Sequence, residues 1–457
     1  MGASDRDAYP SRMLTLAAIA ILAQSVAVPP NLILPNYDRL PIGQREGIEA
    51  GAFLARTNDA GANWYNPAGL GKSQKTALNA SATAYDWTSM SLEGFGTSEG
   101  RSRINTIGTL LSVAIGEGTI KSDRWRLGFS ITNPIVWRPS SIDFAFSPSA
   151  NEVFSYASVV DFNTMIPGLA VAYTPGGVKA GRFRVGAGLG MAITSLSQTQ
   201  NVSIRVNTGA SASVTERDFS AEGSTWQIQP SGGFQWDASP RIIIGARLVA
   251  PGLRILGSSR MTLETSQFQS DTSTDLVFRD DGATFDYKRP FEGAGGVAYH
   301  ASAFEFELDV HYYGAINSYS MYESELPGTL TTVDSTGTPA VSSPAFVPTA
   351  NSARAVTNVS AGGNYRLTNS LRVHAGFASD FSPVDDQSQS VFRKVDLTRL
   401  TTGLSLTGQK LSGSLGFGYS FGSGKRTTLG NSGGGQPIET RFNVSTFNLL
   451  FALSYGF

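Results

Sequence analysis

From Phe447 to Phe457 the chain alternates. Phe447, Leu449, Phe451, Leu453, Tyr455 and Phe457 share one parity, with Asn448, Leu450, Ala452, Ser454 and Gly456 between them. The same period of two recurs in Trp125, Leu127, Phe129 and Ile131, in Phe183 through Ile193, in Phe304 through Tyr312, and in Leu411 through Phe421. Successive side chains of a strand point to opposite faces. These segments therefore predict strands with one continuous apolar face and one face of small or charged residues. After Ala27 no apolar run approaches the ~20 residues that a membrane-spanning helix needs, so any crossing of a membrane must be made by strands.

Fourteen such strands are expected, near 77–87, 104–116, 124–134, 164–174, 182–198, 224–237, 240–250, 291–300, 303–315, 355–367, 370–379, 398–408, 410–422 and 441–457. Every second connection is short. The others (88–103, 135–163, 199–223, 251–290, 316–354, 380–397 and 423–440) are long and polar. A soluble sandwich also alternates but has no reason to keep that parity. An even-stranded outer-membrane barrel keeps it, with short turns on the periplasmic side and long loops outside. Lipid leaves no place for unpaired backbone, so the sheet must close. The expected fold class is all-β: an antiparallel transmembrane β-barrel of about fourteen strands. Glycine, at 50 of 457 residues, exceeds the usual ~7%, as many short strands would require. Trp87, Trp125, Trp137, Trp226 and Trp236 fall near expected strand ends, where an interfacial aromatic girdle would sit.

Before the first strand the pattern changes. Arg6 and Arg12 precede an apolar run from Met13 to Ala23, and Ser25-Val26-Ala27 offers a small-x-small cleavage site. This is the arrangement of a secretory signal peptide, expected over 1–27. Localisation in the outer membrane of a Gram-negative-type bacterium follows. The terminal Phe457, behind its alternating approach, is expected to be the signal read by barrel-assembly machinery. Residues 28–76 do not alternate, and 77–457 are assigned to the barrel.

Within 28–76 lie Gly51-Ala52-Phe53, Asn58-Asp59-Ala60-Gly61 and Tyr65-Asn66-Pro67-Ala68-Gly69-Leu70. On these residues the sequence resembles the FadL/TodX family of outer-membrane transporters of hydrophobic compounds. The likeness is concentrated in 43–71 and extends to Ala375-Gly376-Phe377 and Ser382-Pro383. The resemblance implies an N-terminal hatch inside the barrel and passive uptake of hydrophobic molecules, either long-chain fatty acids or aromatic hydrocarbons. Hatch gating would fall to Asn58, Asp59, Asn66, Pro67 and Ala68; a purely stabilising role for this motif is the alternative. The family is associated with a kink in the third strand that opens the wall sideways, and here that strand carries Gly128, Asn133 and Pro134. Proline donates no ladder hydrogen bond, so Pro134 either marks such a defect or ends the strand. A ligand groove is expected among Phe144, Phe146, Phe154 and Tyr156, with ordinary loop packing as the alternative. The partners implied are a hydrophobic small molecule and outer-membrane lipid, bound by a monomer.

Other chemistry finds little support. Lysine plus arginine (35) nearly balance aspartate plus glutamate (36), so no basic footprint for nucleic acid exists. Cysteine is absent, which excludes thiolate chemistry. His300, His311 and His374 lack metal-ligand spacing, and neither metal nor cofactor is expected. No G-x-S-x-G is seen around a strand-to-helix turn. A general porin and a lipid-acting barrel enzyme are the competing functions. A porin is disfavoured by the hatch and by inward charges that look scattered (Arg126, Arg184, Arg247, Glu305, Glu307 and Arg372). An enzyme would need a serine and a histidine within hydrogen-bond reach.

Overall fold

The computed structural model describes residues 36–38, 42–93, 99–138, 142–149, 151–177, 179, 181–207, 212–384, 394–428 and 438–457. The expected signal segment 1–27 lies outside the described residues. Twenty-one strand segments follow one another: β1 (Ala77–Glu93), β2 (Glu99–Ile115), β3 (Trp125–Trp137), β4 (Ile142–Ser149), β5 (Glu152–Tyr173), β6 (Phe183–Asn207), β7 (Ala212–Asp237), β8 (Ile242–Val249), β9 (Leu253–Gln269), β10 (Thr272–Phe285), β11 (Glu292–His300), β12 (Phe304–Tyr313), β13 (Ile316–Glu323), β14 (Thr329–Val333), β15 (Pro339–Ser342), β16 (Thr349–Ala353), β17 (Val356–Arg366), β18 (Leu371–Asp380), β19 (Asp396–Thr407), β20 (Leu411–Thr428) and β21 (Ile438–Gly456).

Four pairs of these segments (β8 with β9, β10 with β11, β12 with β13, β16 with β17) are single strands with a short break. The β4 strand and the β14–β15 hairpin add to the wall without forming part of its ring. The wall therefore has fourteen strands, all antiparallel to their neighbours. It closes where β1 pairs with β21, from Ala77↔Gly456 to Glu93↔Arg441. Every expected strand is present.

The expected long loops differ. Much of 135–163 is the β4–β5 hairpin, and 199–223 is largely the continuation of β6 and β7. The segment 251–290 is mostly β9 and β10. The reason lies in the side chains. On β6 the outward parity is apolar from Phe183 through Val185, Leu189 and Ile193, then polar at Ser195, Ser197, Thr199 and Asn201. On β7 it runs Trp236, Phe234, Ile228 and Trp226, then Ser224, Glu222 and Ser220. The changeover occurs at one level, since Met165 pairs with Ile193, Ile193 with Trp226, and Trp226 with Leu256. Below it the wall is apolar outside. Above it the strands continue with polar residues outside, and hydropathy alone reads them as loops.

Trp125 and Trp236 stand exposed at the short-turn rim, and Trp87 and Trp226 face outward near the changeover. Trp137 departs from the expected girdle. It is 1% exposed and points inward, packed with Phe162, Leu196 and Phe285.

Candidate functional site

The described N-terminal residues lie within the ring of strands. They run from Asn36, whose amide donates to Asp380 O and Val395 O, down to Ser73, whose carbonyl accepts from Arg126 Nε. Close approach is possible because the facing wall is glycine. A Cβ on Gly186 would come within 2.4 Å of Ala68 N, and one on Gly376 within 2.4 Å of the Glu49 carbonyl carbon. The glycine-lined face of β6 is thus the seat of the 3-10 turn Pro67–Lys72.

The inward charges converge on this segment. Arg56, 2% exposed, pairs with Glu49 and, at 2.8 Å, with Glu307. The Glu307 carboxylate also accepts from the Arg56 backbone N–H, and Asp309 accepts from Leu54 N at 3.1 Å. Gln235 Nε2 donates to the carbonyls of Ala55 and Thr57. Burial would raise the Glu49 carboxyl, but Arg56 and His374 outweigh it and hold it below the usual carboxylate range. Of the charges that looked scattered along the sequence, Arg126, Arg247, Glu305 and Glu307 meet this segment directly, while Arg184 and Arg372 pair with Asp237 and Glu305 of the wall.

His374 Nδ1 lies 2.6 Å from Glu49 Oε1, and its Nε2 lies 2.7 Å from Ser405 Oγ. A Ser–His–Glu row of this kind activates a nucleophile in hydrolases. Here Ser405 is 2% exposed, and Glu49, fully buried, is also paired with Arg56. The row joins wall to segment.

Asn66, fully buried, donates to Leu54 O and Phe234 O while its Oδ1 caps the 3-10 turn at Ala68 N; Pro67 opens that turn. Asp59 Oδ1 accepts from Gly61 N at 2.8 Å, a local turn cap. Asn58 is exposed and accepts from Arg45. Of the five residues picked from the motif, Asn66, Pro67 and Ala68 therefore meet the wall.

The third strand behaves unevenly. Gly128 lies in regular ladder, paired with Ala114 and Ala170; a Cβ there would collide with Asn63 Oδ1 at 1.9 Å, so its smallness serves Asn63. The β2–β3 ladder runs only from Ile115↔Leu127 to Leu110↔Thr132. Beyond it, the β3–β5 register shifts between Thr132 and Ile135, across Asn133 and Pro134. The Asn133 amide spans to Gly108 O at 2.7 Å where the ladder has ended. Pro134 lines a cavity of about 70 Å³ shared with Tyr37, Ile42, Trp64, Tyr65, Arg247, Arg289, Glu292 and His311.

Above this cavity the inner face turns apolar. Trp137, Phe162, Leu196, Phe278, Phe285, Tyr287, Tyr322 and Phe442 belong to one buried cluster contributed from around the ring. Phe162 and Tyr287 meet edge to face at 5.0 Å, and Arg289, two residues on, reaches the cavity. Sequence reasoning missed this cluster. The signal was the inward parity of the upper strands, which becomes apolar at the level where the outward parity becomes polar. Of the four aromatic residues expected to form the groove, Tyr156 is buried on the inner face of β5, with its hydroxyl accepting from Gln200, and Phe154 is half-buried. Phe144 and Phe146 lie on β4 opposite Tyr156 and Phe154; their side chains lie outside the described residues.

No family model matches this chain. No curated protein matches it either. Solved structures do. A Pseudomonas aeruginosa FadL homologue aligns with TM-score 0.61 at 14% identity, over 92% of this chain and 99% of its own. The Ralstonia pickettii toluene transporter TbuX aligns with TM-score 0.54 at 14% identity, and the Pseudomonas putida toluene transporter TodX with 0.53 at 12%; each covers 92% of this chain and 99% of its own. The chain has the FadL/TodX-like fold.

Proposed function

We propose that this protein is a passive outer-membrane channel for hydrophobic molecules, exported behind residues 1–27 and assembled through its Phe457 end. The apolar outer band is the transmembrane part. From Trp226 to Trp236 there are ten residue steps, ~33 Å along the strand at ~3.3 Å per residue, or ~25 Å of membrane at the usual tilt. Residues 28–76 act as a hatch. Ligand from the long-loop side is held by the apolar cluster around Phe162, and the hatch blocks a straight path below. The way out is sideways, at Asn133–Pro134, into lipid.

One observation carries this function: the inner face is apolar at the long-loop end and polar and filled at the other. A water-filled porin would need an open, polar lumen along its whole length. Arg289, beside the Arg247–Glu292 pair beneath the apolar cluster, favours an amphipathic acid, such as a long-chain fatty acid, over a neutral aromatic hydrocarbon. The present cavity is far below the ~300 Å³ of a small-molecule site, so ligand must part the cluster.

The test is uptake of labelled long-chain fatty acid and of a small aromatic hydrocarbon by cells lacking their own transporter. Wild type, Phe162→Ala and the double variant Asn66→Ala/Pro67→Ala are compared at equal surface abundance. The expectation is fatty-acid uptake that Phe162→Ala lowers about tenfold and the double variant loses. Passage of small sugars without hydrophobic uptake would overturn the proposal in favour of a porin.

A further inference from the structure

We propose that the carboxylate of the ligand takes the seat held here by the carboxylate of Asp38, so that binding exchanges one acid for the other and frees the start of the N-terminal segment from the wall. The proposal deepens the acid-channel reading above and rests on it.

The seat is built by the wall. Tyr313, the last residue of β12, donates its hydroxyl to Asp38 Oδ1 at 2.7 Å, and Asn358 of β17 donates its amide to Oδ2 at 2.9 Å. Each carboxylate oxygen thus has its own donor, and both donors are buried on the inner face. Hydrogen bonds to an ionised acceptor are stronger than neutral ones, so the seat favours a carboxylate, and nothing in it is particular to aspartate. Asp38, Tyr313 and Asn358 all line the cavity of about 70 Å³ that Pro134 also reaches, beneath the apolar cluster. An acyl chain lying in that cluster would bring its headgroup to this level.

Charge makes the exchange one for one. Arg247, Arg289 and Arg399 line the cavity, and its acids are Asp38 and Glu292. Arg247 pairs with Glu292 at 3.1 Å, and His311 Nδ1 lies 3.8 Å from the same carboxylate. Arg289 donates to the neutral Gln229, and Arg399 to the Asp38 carbonyl and Ser420 Oγ. Without Asp38 the lining would hold three guanidinium groups against one carboxylate. Buried charge lacking its counter-charge is costly. An incoming carboxylate restores the match, and a neutral hydrocarbon does not.

The contact that Asp38 completes is short. The Asn36 amide donates to Asp380 O and Val395 O, Tyr37 packs on the Tyr313 ring at 4.6 Å, and Asp38 N donates to Asp380 Oδ1 at 3.2 Å. The deeper part of the segment is held elsewhere, through Arg56 and Asn66. Displacing Asp38 would therefore loosen the start of the segment and leave its deeper part in place.

The folded full chain in detergent tests this by equilibrium dialysis of labelled palmitate and labelled methyl palmitate, which share a chain and differ in charge. Asp38→Ala should raise the ratio of palmitate to methyl palmitate affinity about tenfold, because a self-filled seat lowers apparent affinity by the fraction of time it stands open. In that background Tyr313→Phe and Asn358→Ala should each take back most of the gain. In the wild type, palmitate but not methyl palmitate should speed hydrogen exchange of the Asp38 amide, with the Leu54 amide as protected as before. A ratio that Asp38→Ala leaves unchanged or lowers overturns the proposal. A raised ratio that neither Tyr313→Phe nor Asn358→Ala reduces overturns the seat. Palmitate bound with the Asp38 amide still fully protected overturns the exchange. Failure of wild type and Asp38→Ala alike to bind either probe overturns the hydrophobic-channel reading itself, and this proposal with it.

Discussion

The two halves of this barrel are built on opposite rules. Below the level of Ile193 and Trp226 the outer face is apolar and the inner face carries glycine, arginine and carboxylates. Above it, the outer face is mostly polar, with single apolar residues such as Val159, Phe268 and Val277, while Phe162, Leu196 and Phe285 fill the inside. In the proposed placement one set of continuous strands serves two solvents: the lower half would face lipid, and many of its inner polar groups, such as Glu307, Asp309 and Gln235, find partners in the N-terminal segment. The upper half is folded as a water-soluble protein is, with its apolar residues gathered where water is excluded. A contiguous apolar environment for a ligand lies in the upper interior.

The comparison breaks most readily at Arg56. Arg56→Ala leaves Glu49 and Glu307 buried without their cation, at a cost of about 3–5 kcal/mol. Hydrogen exchange and proteolysis of 42–73 should accelerate in an intact barrel, and small polar solutes should begin to leak. A segment as protected as in wild type would show that the polar interior does not depend on this pairing.

Paired charges on the outer face of β6 test the comparison more gently. Leu189→Arg, in the apolar band, should cost ~2–4 kcal/mol in urea titrations of vesicle-inserted protein. Thr199→Arg, three outward positions above the changeover, should stay within ~0.5 kcal/mol. Equal costs would erase the boundary.

The pH dependence of the comparison lies at Glu46. Its carboxyl is fully buried with neither oxygen hydrogen-bonded, and burial, reinforced by Asp59 and Glu49 against Arg45, pushes it from 4.5 up to about 8. The folded segment holds a proton that the unfolded segment releases near pH 4.5. The protection of residues 42–66 should therefore be full below that pH and decline as pH rises toward about 8. Glu46→Gln should flatten this slope in hydrogen exchange. An unchanged slope would assign it to another group.

The strand set, its even count and the side holding the short turns follow from sequence alone, because period-two alternation is a local property of strands. The N-terminal motif was legible for the same reason: the Asn66 cap, Pro67 opening a turn and the Asp59 turn are short-range geometry. The upper strands were harder to read, since alternation with polar residues outward resembles a loop until the level of each strand against its neighbour is known. Only the tertiary structure decided what the inward charges do. Arg56 and Glu307 stand 251 positions apart, and nothing local pairs them. The same holds for Gly128, whose partner is a side chain of another segment, and for the gap at Asn133–Pro134, which exists only as the end of a ladder between two strands. Sequence determines which face of a strand each residue occupies; closure of the ring determines what stands opposite it.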